Sequence, residues 1–171
     1  MTQRERLLRW EDPAPNYIAQ RGMTGLEMLT AMRDGELPGP PIAAAMRMAL
    51  TEVEAGRAVF VCDPDESLYN PFGTVHGGAV CTVLDSATGC AVGSTLARGM
   101  SYTSIEIKVS FLRPITERTG RLTATGTVTK PGRRVMFADG ALTDDAGTLL
   151  ATTSGSFLVF PTPAPEAHAE G

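Results

Sequence analysis

Apolar residues return at spacings of three and four from Val80 through Val83, Leu84, Ala87 and Ala91. That period predicts a helix with one buried face, running from about Gly77 to Leu96 and closed by Gly99. Asp85 interrupts the apolar run at its middle. Further along the chain the period drops to two. Ile105, Ile107, Val109 and Phe111 alternate with Glu106, Lys108 and Ser110, which predicts a half-buried strand stopped by Pro114. From Arg121 to Lys130, Leu122, Ala124, Gly126 and Val128 alternate with threonines. Pro131-Gly132 turns the chain into a strand over Val135 to Leu142, and Asp144 to Gly147 turns it into a last strand over Leu149 to Phe160.

The first third reads as helical, then extended. Thr2 to Trp10 predicts a short helix ended by Pro13 and Pro15. Thr24 to Arg33 predicts a firmer one, with Thr24 and Glu27 as a capping box and Gly35 as the stop. Ile42 to Glu54 is ambiguous between helix and strand, because its alanines and methionines favour helix. Gly56 makes a turn and Arg57 to Cys62 a β-branched strand. One long apolar helix with a meander of strands gives an α+β class, a curved antiparallel sheet wrapped around the helix. The expected division is a helical extension over 1–39, the main domain over 40–160 and a Pro/Ala-rich disordered tail over 161–171.

The chemistry gathers before and inside the long helix, in Asn70-Pro-Phe-Gly-Thr-Val-His-Gly-Gly through Asp85. Glycines at a helix start let backbone N–H groups face a ligand. Those groups lack helical partners and carry partial positive charge, which suits an oxygen that becomes negative during reaction. A lone carboxylate among Cys81, Thr82, Leu84, Ala87 and Gly89 is a candidate base or nucleophile. Taken singly, such a glycine pair is most often turn chemistry and such an aspartate is most often solvated. Their joint spacing is what singles them out.

The pattern N-x-x-G-x-x-HGG-x-x-x-x-x-x-D, the later YTSIEIKVSFLRP, the GRR before a strand and the closing strand ending LVF resemble the hotdog-fold acyl-CoA thioesterases, in particular the PaaI-type branch. The resemblance spans roughly residues 40 to 160. It implies a short helical entry over Ile42 onward, then a first strand through Leu50 to Val53. It also implies hydrolysis of an acyl-CoA to the free acid and coenzyme A, with no cofactor beyond the coenzyme A of the substrate. The implied site has the Gly77 N–H as oxyanion donor with Gly78 beside it, and Asp85 as base or nucleophile. Asn70 positions water or carboxylate, His76 orients the loop or contacts the thioester, and Ser104 or the adjacent Thr103 supplies an assisting hydroxyl. Coenzyme A carries phosphates, so Arg113, Arg133 and Arg134 are candidate contacts at the pocket mouth.

Gly77 and Asp85 are eight residues apart, or about 12 Å along one helix. Groups acting on one carbonyl must lie within about 3–4 Å of the reacting atoms. Two copies of the helix meet that condition where one copy cannot. The expected minimal unit is therefore a homodimer with a shared site, as in the family, and a homotetramer is its further pairing.

The chain has 171 residues and 43% hydrophobic content, enough for a full core. A net charge of -4 with no block of like charge argues against nucleic-acid or anionic-membrane partners. There is no run of about 18 apolar residues and no signal peptide, so a cytoplasmic protein is expected. Cys62, Cys81 and Cys90 form no CxxC pair and read as buried free thiols. His76 and His168 are a poor metal set. Two other functions fit the same fold: a non-catalytic acyl-CoA binder or sensor, for which Asp85 has no use, and a thioester dehydratase or hydratase, whose GD-x-NP-x-H segment is missing from the sequence. The acyl group is not legible. Met23, Met28, Met32 and Phe72 are candidates to line an apolar pocket, with core packing the commoner role for such residues.

Overall fold

The computed structural model describes residues 2–163. Along them run α1 (Ala14–Gly22), α2 (Gly25–Arg33), α3 (Pro41–Met46), β1 (Met48–Glu54), β2 (Arg57–Cys62), α4 (Gly77–Gly93), β3 (Met100–Phe111), β4 (Leu122–Lys130), β5 (Val135–Asp144) and β6 (Leu149–Pro161). The strands form one antiparallel sheet in the order β1-β2-β4-β5-β6-β3. The sheet wraps α4, the hotdog arrangement. Leu84, Ala87, Ala91 and Val92 of α4 have no exposed surface. One apolar cluster, with Phe60, Leu122 and Leu142, lies under the first half of the helix. A second, with Met136, Phe157 and Val159, lies under its end.

Helix and sheet meet backbone to backbone at Gly126. A Cβ there would lie 2.3 Å from the Ala87 carbonyl oxygen and 2.6 Å from the Thr88 nitrogen, atoms in the middle of α4 that cannot move aside singly. Gly126→Ala should therefore destabilise the fold by about 1–3 kcal/mol. Denaturant unfolding checks this, and an unchanged midpoint would contradict the close approach.

The sequence reading of the elements holds with four corrections. Residues 2–10 are not helical; the first helix begins where the prolines stand. Proline suits a first turn, whose N–H groups are unpaired anyway, and the Asp12 carboxylate accepts the Ala14 N–H at 2.9 Å. Residues 2–10 instead run over the domain, with the Arg6 guanidinium donating to the Ala44 and Ala45 carbonyls and to Ser67. The second correction is the end of α4, at Gly93 rather than Leu96. The Ser94 and Thr95 hydroxyls donate to Ala91 and Val92 carbonyls at 2.7 Å, drawing the last turn off the helical ladder. Gly99, at φ 73°, then turns the chain into β3 rather than capping α4.

Third, β3 begins at Met100, four residues before Ser104. Fourth, a bulge between Ser104 and Glu106 leaves Ile105 55% exposed instead of half-buried. The capping box of α2 is present as expected, with Glu27 N–H to Thr24 Oγ1 at 3.2 Å and Thr24 N–H to Glu27 Oε2 at 2.7 Å. The ambiguous stretch divides at Arg47, whose left-handed φ of 52° separates α3 from β1. The expected tail lies, from residue 164 onward, outside the described residues.

Candidate active site

The loop before α4 is built by Asn70. Its side-chain oxygen accepts the Phe72 and Thr74 N–H groups at 2.9 and 3.3 Å, and its amide donates to Thr74 Oγ1 at 2.8 Å. Gly73, at φ 79°, supplies the left-handed step of this turn. Asn70 thus holds its own loop, and within one chain Asp85 is not among its partners. His76 is the N-cap of α4. Its Nδ1 accepts the Gly78 N–H at 2.9 Å, which places the imidazole proton on Nε2. The Ala79 and Val80 N–H groups go to the His76 carbonyl at 2.9 and 3.3 Å. Among the described residues, the Gly77 N–H has no partner. The first turn of α4 therefore satisfies every amide but one. Gly77 itself lines a cavity of ≈410 Å³ with Asn70, Val80, Phe111, Arg113 and Leu150 among others.

Asp85 sits halfway along α4, half-buried. Ser104 Oγ donates to its Oδ1 at 2.8 Å. Ser104 and Thr103 point to opposite faces of β3, so it is Ser104 that meets the carboxylate. Among the described residues Asp85 is in no ion pair and its Oδ2 has no protein partner. One oxygen is oriented and the other is open to a reacting group. Beyond Asp85, burial pushes the Cys90 thiol up to about 12, opposed by the nearby Tyr102 hydroxyl and aided by the Asp85 charge. Burial likewise raises the Tyr102 hydroxyl. Both stay protonated at neutral pH.

Asp85 does not line the cavity at Gly77. The eight-residue separation along an unbroken α4 keeps the two about 12 Å apart within one chain. Arg113 stands at the rim of the Gly77 cavity and of an adjoining cleft of ≈540 Å³ that also contains Arg118. Arg118 belongs to a single 3₁₀ turn, Glu117–Thr119, and no periodicity or motif marks it in the sequence. Arg133 and Arg134 lie elsewhere. The Arg134 backbone carbonyl accepts the Val159 N–H at 2.8 Å. Val159 is nine residues, about 30 Å, along β6 from Leu150 at the Gly77 cavity. One chain brings Arg113 to Gly77 but not Arg133 or Arg134. Phe72 is 89% exposed on its loop and lines neither cavity. Among the described residues no three His, Cys, Asp or Glu side chains converge as a metal set, so the groups on hand are a carboxylate, a hydroxyl and a helix-tip amide.

The sheet wrapped on one helix is the hotdog fold, and that helix carries an unpaired amide at its tip and an oriented carboxylate halfway along it. The chain belongs to the thioesterase superfamily, whose family model matches residues 72–151. That span includes Gly77, Asp85 and Ser104. The Saccharolobus solfataricus protein named "Putative esterase SSO2140" is 30% identical over 110 residues, 64% of this chain and 76% of that protein. Matches to relatives from Halobacterium salinarum and Caenorhabditis elegans, at 35% and 37% identity, cover 52% and 51% of this chain and 62% and 52% of those proteins. Among solved structures, a phenylacetic acid degradation-related protein from Ralstonia eutropha JMP134 is 30% identical with a TM-score of 0.70, over 76% of this chain and 98% of that one. The E. coli PaaI protein from the phenylacetic acid degradation operon shares the fold at 21% identity and a TM-score of 0.67, over 87% of this chain and 96% of that one.

Proposed function

We propose that this chain hydrolyses an acyl-CoA thioester to a free carboxylic acid and coenzyme A, in a site shared by two copies. The observation that carries the reading is the Ser104–Asp85 hydrogen bond, which fixes a carboxylate in the middle of a largely buried helix. The thioester carbonyl oxygen accepts from the Gly77 N–H of one copy. Asp85 of the other copy takes a proton from water, whose oxygen adds to the carbonyl carbon. The C–S bond then breaks, and the departing thiolate takes up a proton. In the nucleophilic variant Asp85 itself adds to the carbonyl carbon, thiolate leaves, and water cleaves the resulting anhydride.

The edge strand supports the pairing. Among the described residues nothing pairs with the outer edge of β3. Ile105, Phe111 and Leu112 on or beside it are 55%, 56% and 52% exposed. A twelve-residue unpaired edge is a template for another strand. Two-fold pairing of β3 with itself sets the Phe111 end of one copy beside the Met100 end of the other. The same symmetry carries Arg133 and Arg134 of a second copy toward the Gly77 cavity of the first, where Arg113 already stands, so the phosphate contacts come from both. A binding module on this fold has no use for an oriented carboxylate. No described helix is long and apolar enough to cross a membrane.

The test is thiol release over a panel of acyl-CoAs, run beside Ser104→Ala. A hydrogen bond to a charged group is worth about 1.5–3 kcal/mol, so Ser104→Ala should lower kcat about ten- to a hundredfold with little change in KM. Release from none of the panel, or an unaffected Ser104→Ala, would remove the support for this reading.

A further inference from the structure

Four methionines surround one empty space beneath the N-terminal helices. Met23, Met28 and Met32 from the α1–α2 segment and Met100 from β3 line a cavity of ≈340 Å³, with Cys90 and Tyr102 on its inner wall. No charged side chain lines it. Met23, Met28 and Met32 are half-buried and belong to neither core cluster, contrary to the packing role that is commoner for such residues. Fixed contacts hold the space open. The Gly25 N–H donates to the Leu96 carbonyl at 3.0 Å, and a Cβ on Gly25 would lie 1.7 Å from the Gly93 oxygen, so the start of α2 rests directly on the end of α4. Gln20 donates to Ser101 Oγ at 2.9 Å and ties α1 to β3.

The cavity begins next to the site. Cys90 follows Asp85 by five residues, about 7.5 Å along α4. Tyr102 precedes Ser104 by two on the same face of β3, about 7 Å. The Tyr102 ring lies over Gly89 and Gly93, where any Cβ would come within 3.1 and 2.9 Å of it. The Thr24 and Ser101 hydroxyls on the wall are already paired. Thr24 Oγ1 caps α2, and Ser101 Oγ bonds Gln20 and Thr162. Beyond the Tyr102 hydroxyl, little hydrogen-bonding capacity remains for a hydroxylated ring or a second carboxylate. Unbranched thioether side chains conform to a flexible chain.

We infer that this cavity takes the hydrocarbon tail of an unbranched medium-chain acyl group whose carbonyl sits at Asp85 of the same copy. The inference rests on the thioesterase reading above and names its substrate class. At about 30 Å³ per water-sized group the space holds roughly ten methylene-sized groups. Each methylene buried from butanoyl to decanoyl should raise kcat/KM about three- to fourfold.

Two measurements on the full chain test it: binding of decanoic acid by calorimetry, and the ratio of kcat/KM for decanoyl-CoA to butanoyl-CoA. Both are made on the wild type, Met28→Trp and Met32→Trp. Decanoate should bind the wild type, and each tryptophan should weaken binding and lower the ratio by about tenfold or more, the loss of two buried methylenes. The second tryptophan position guards against one variant misfolding. Decanoate binding that depends on Met28 or Met32, with no thioester cleaved, upholds the cavity and removes the hydrolase reading. Thioesters cleaved with no dependence on chain length, or decanoate binding equal in all three proteins, overturns the cavity assignment and leaves the hydrolase reading intact.

Discussion

Asp85→Ala lowers kcat for thiol release by about 10²–10⁴-fold, the range for removing a positioned base. Asp85→Asn should do nearly the same. The amide keeps the shape and can still accept from Ser104, but it offers neither a basic nor a nucleophilic oxygen. Folding should survive both changes. Asp85 is half-buried and lies in neither core cluster, so its removal leaves no cavity among Val83, Leu84 and Ala87. The check is kcat measured together with the unfolding midpoint. An Asp85→Asn enzyme within about threefold of wild type at an unchanged midpoint would strip the carboxylate of its role.

Gly77→Pro carries the second large effect. It deletes one N–H and little else. Gly77 is the first residue of α4, the position where proline is best tolerated. His76 before it has φ -61° and ψ 137°, the extended backbone a following proline requires. A substituent at Gly77 meets the Phe111 ring at 3.2 Å, and that ring is 56% exposed and free to turn. Loss of an oxyanion donor costs about 10²–10³ in kcat. Steady-state kinetics check this, with Gly77→Ala as the control that retains the N–H. If Gly77→Pro and Gly77→Ala turn over alike, the helix tip does not hold the oxyanion.

The fold was legible because its periods are clean. The apolar face of α4 and the alternation in β4 fix a helix under a sheet, and Gly126 falls where the two backbones touch. The site was half legible. His76, Gly77 and Asp85 belong to one continuous segment, so local spacing could find them. Ser104 meets Asp85 from another element and was visible only through resemblance. Arg118 had no local signal at all. Arg133 and Arg134 were placed at the pocket mouth by type, whereas the length of β6 separates them from Gly77 in one chain. The methionine cavity was hidden for another reason: an apolar residue facing a void has the same sequence pattern as one facing the core. The prolines at 13 and 15 were misread because proline ends a helix from inside but suits its first turn.

Complementation between subunits reaches the central claim most directly. Asp85→Ala and Gly77→Pro chains are co-expressed and thiol release is compared with each variant alone. If the site is shared, a mixed dimer has one doubly damaged site and one intact site. Random pairing then restores about a quarter of wild-type activity. Recovery well above both parents is the result expected. A mixture no more active than its parents, with mixed dimers shown to be present, would mean that Asp85 and Gly77 do not meet across two copies.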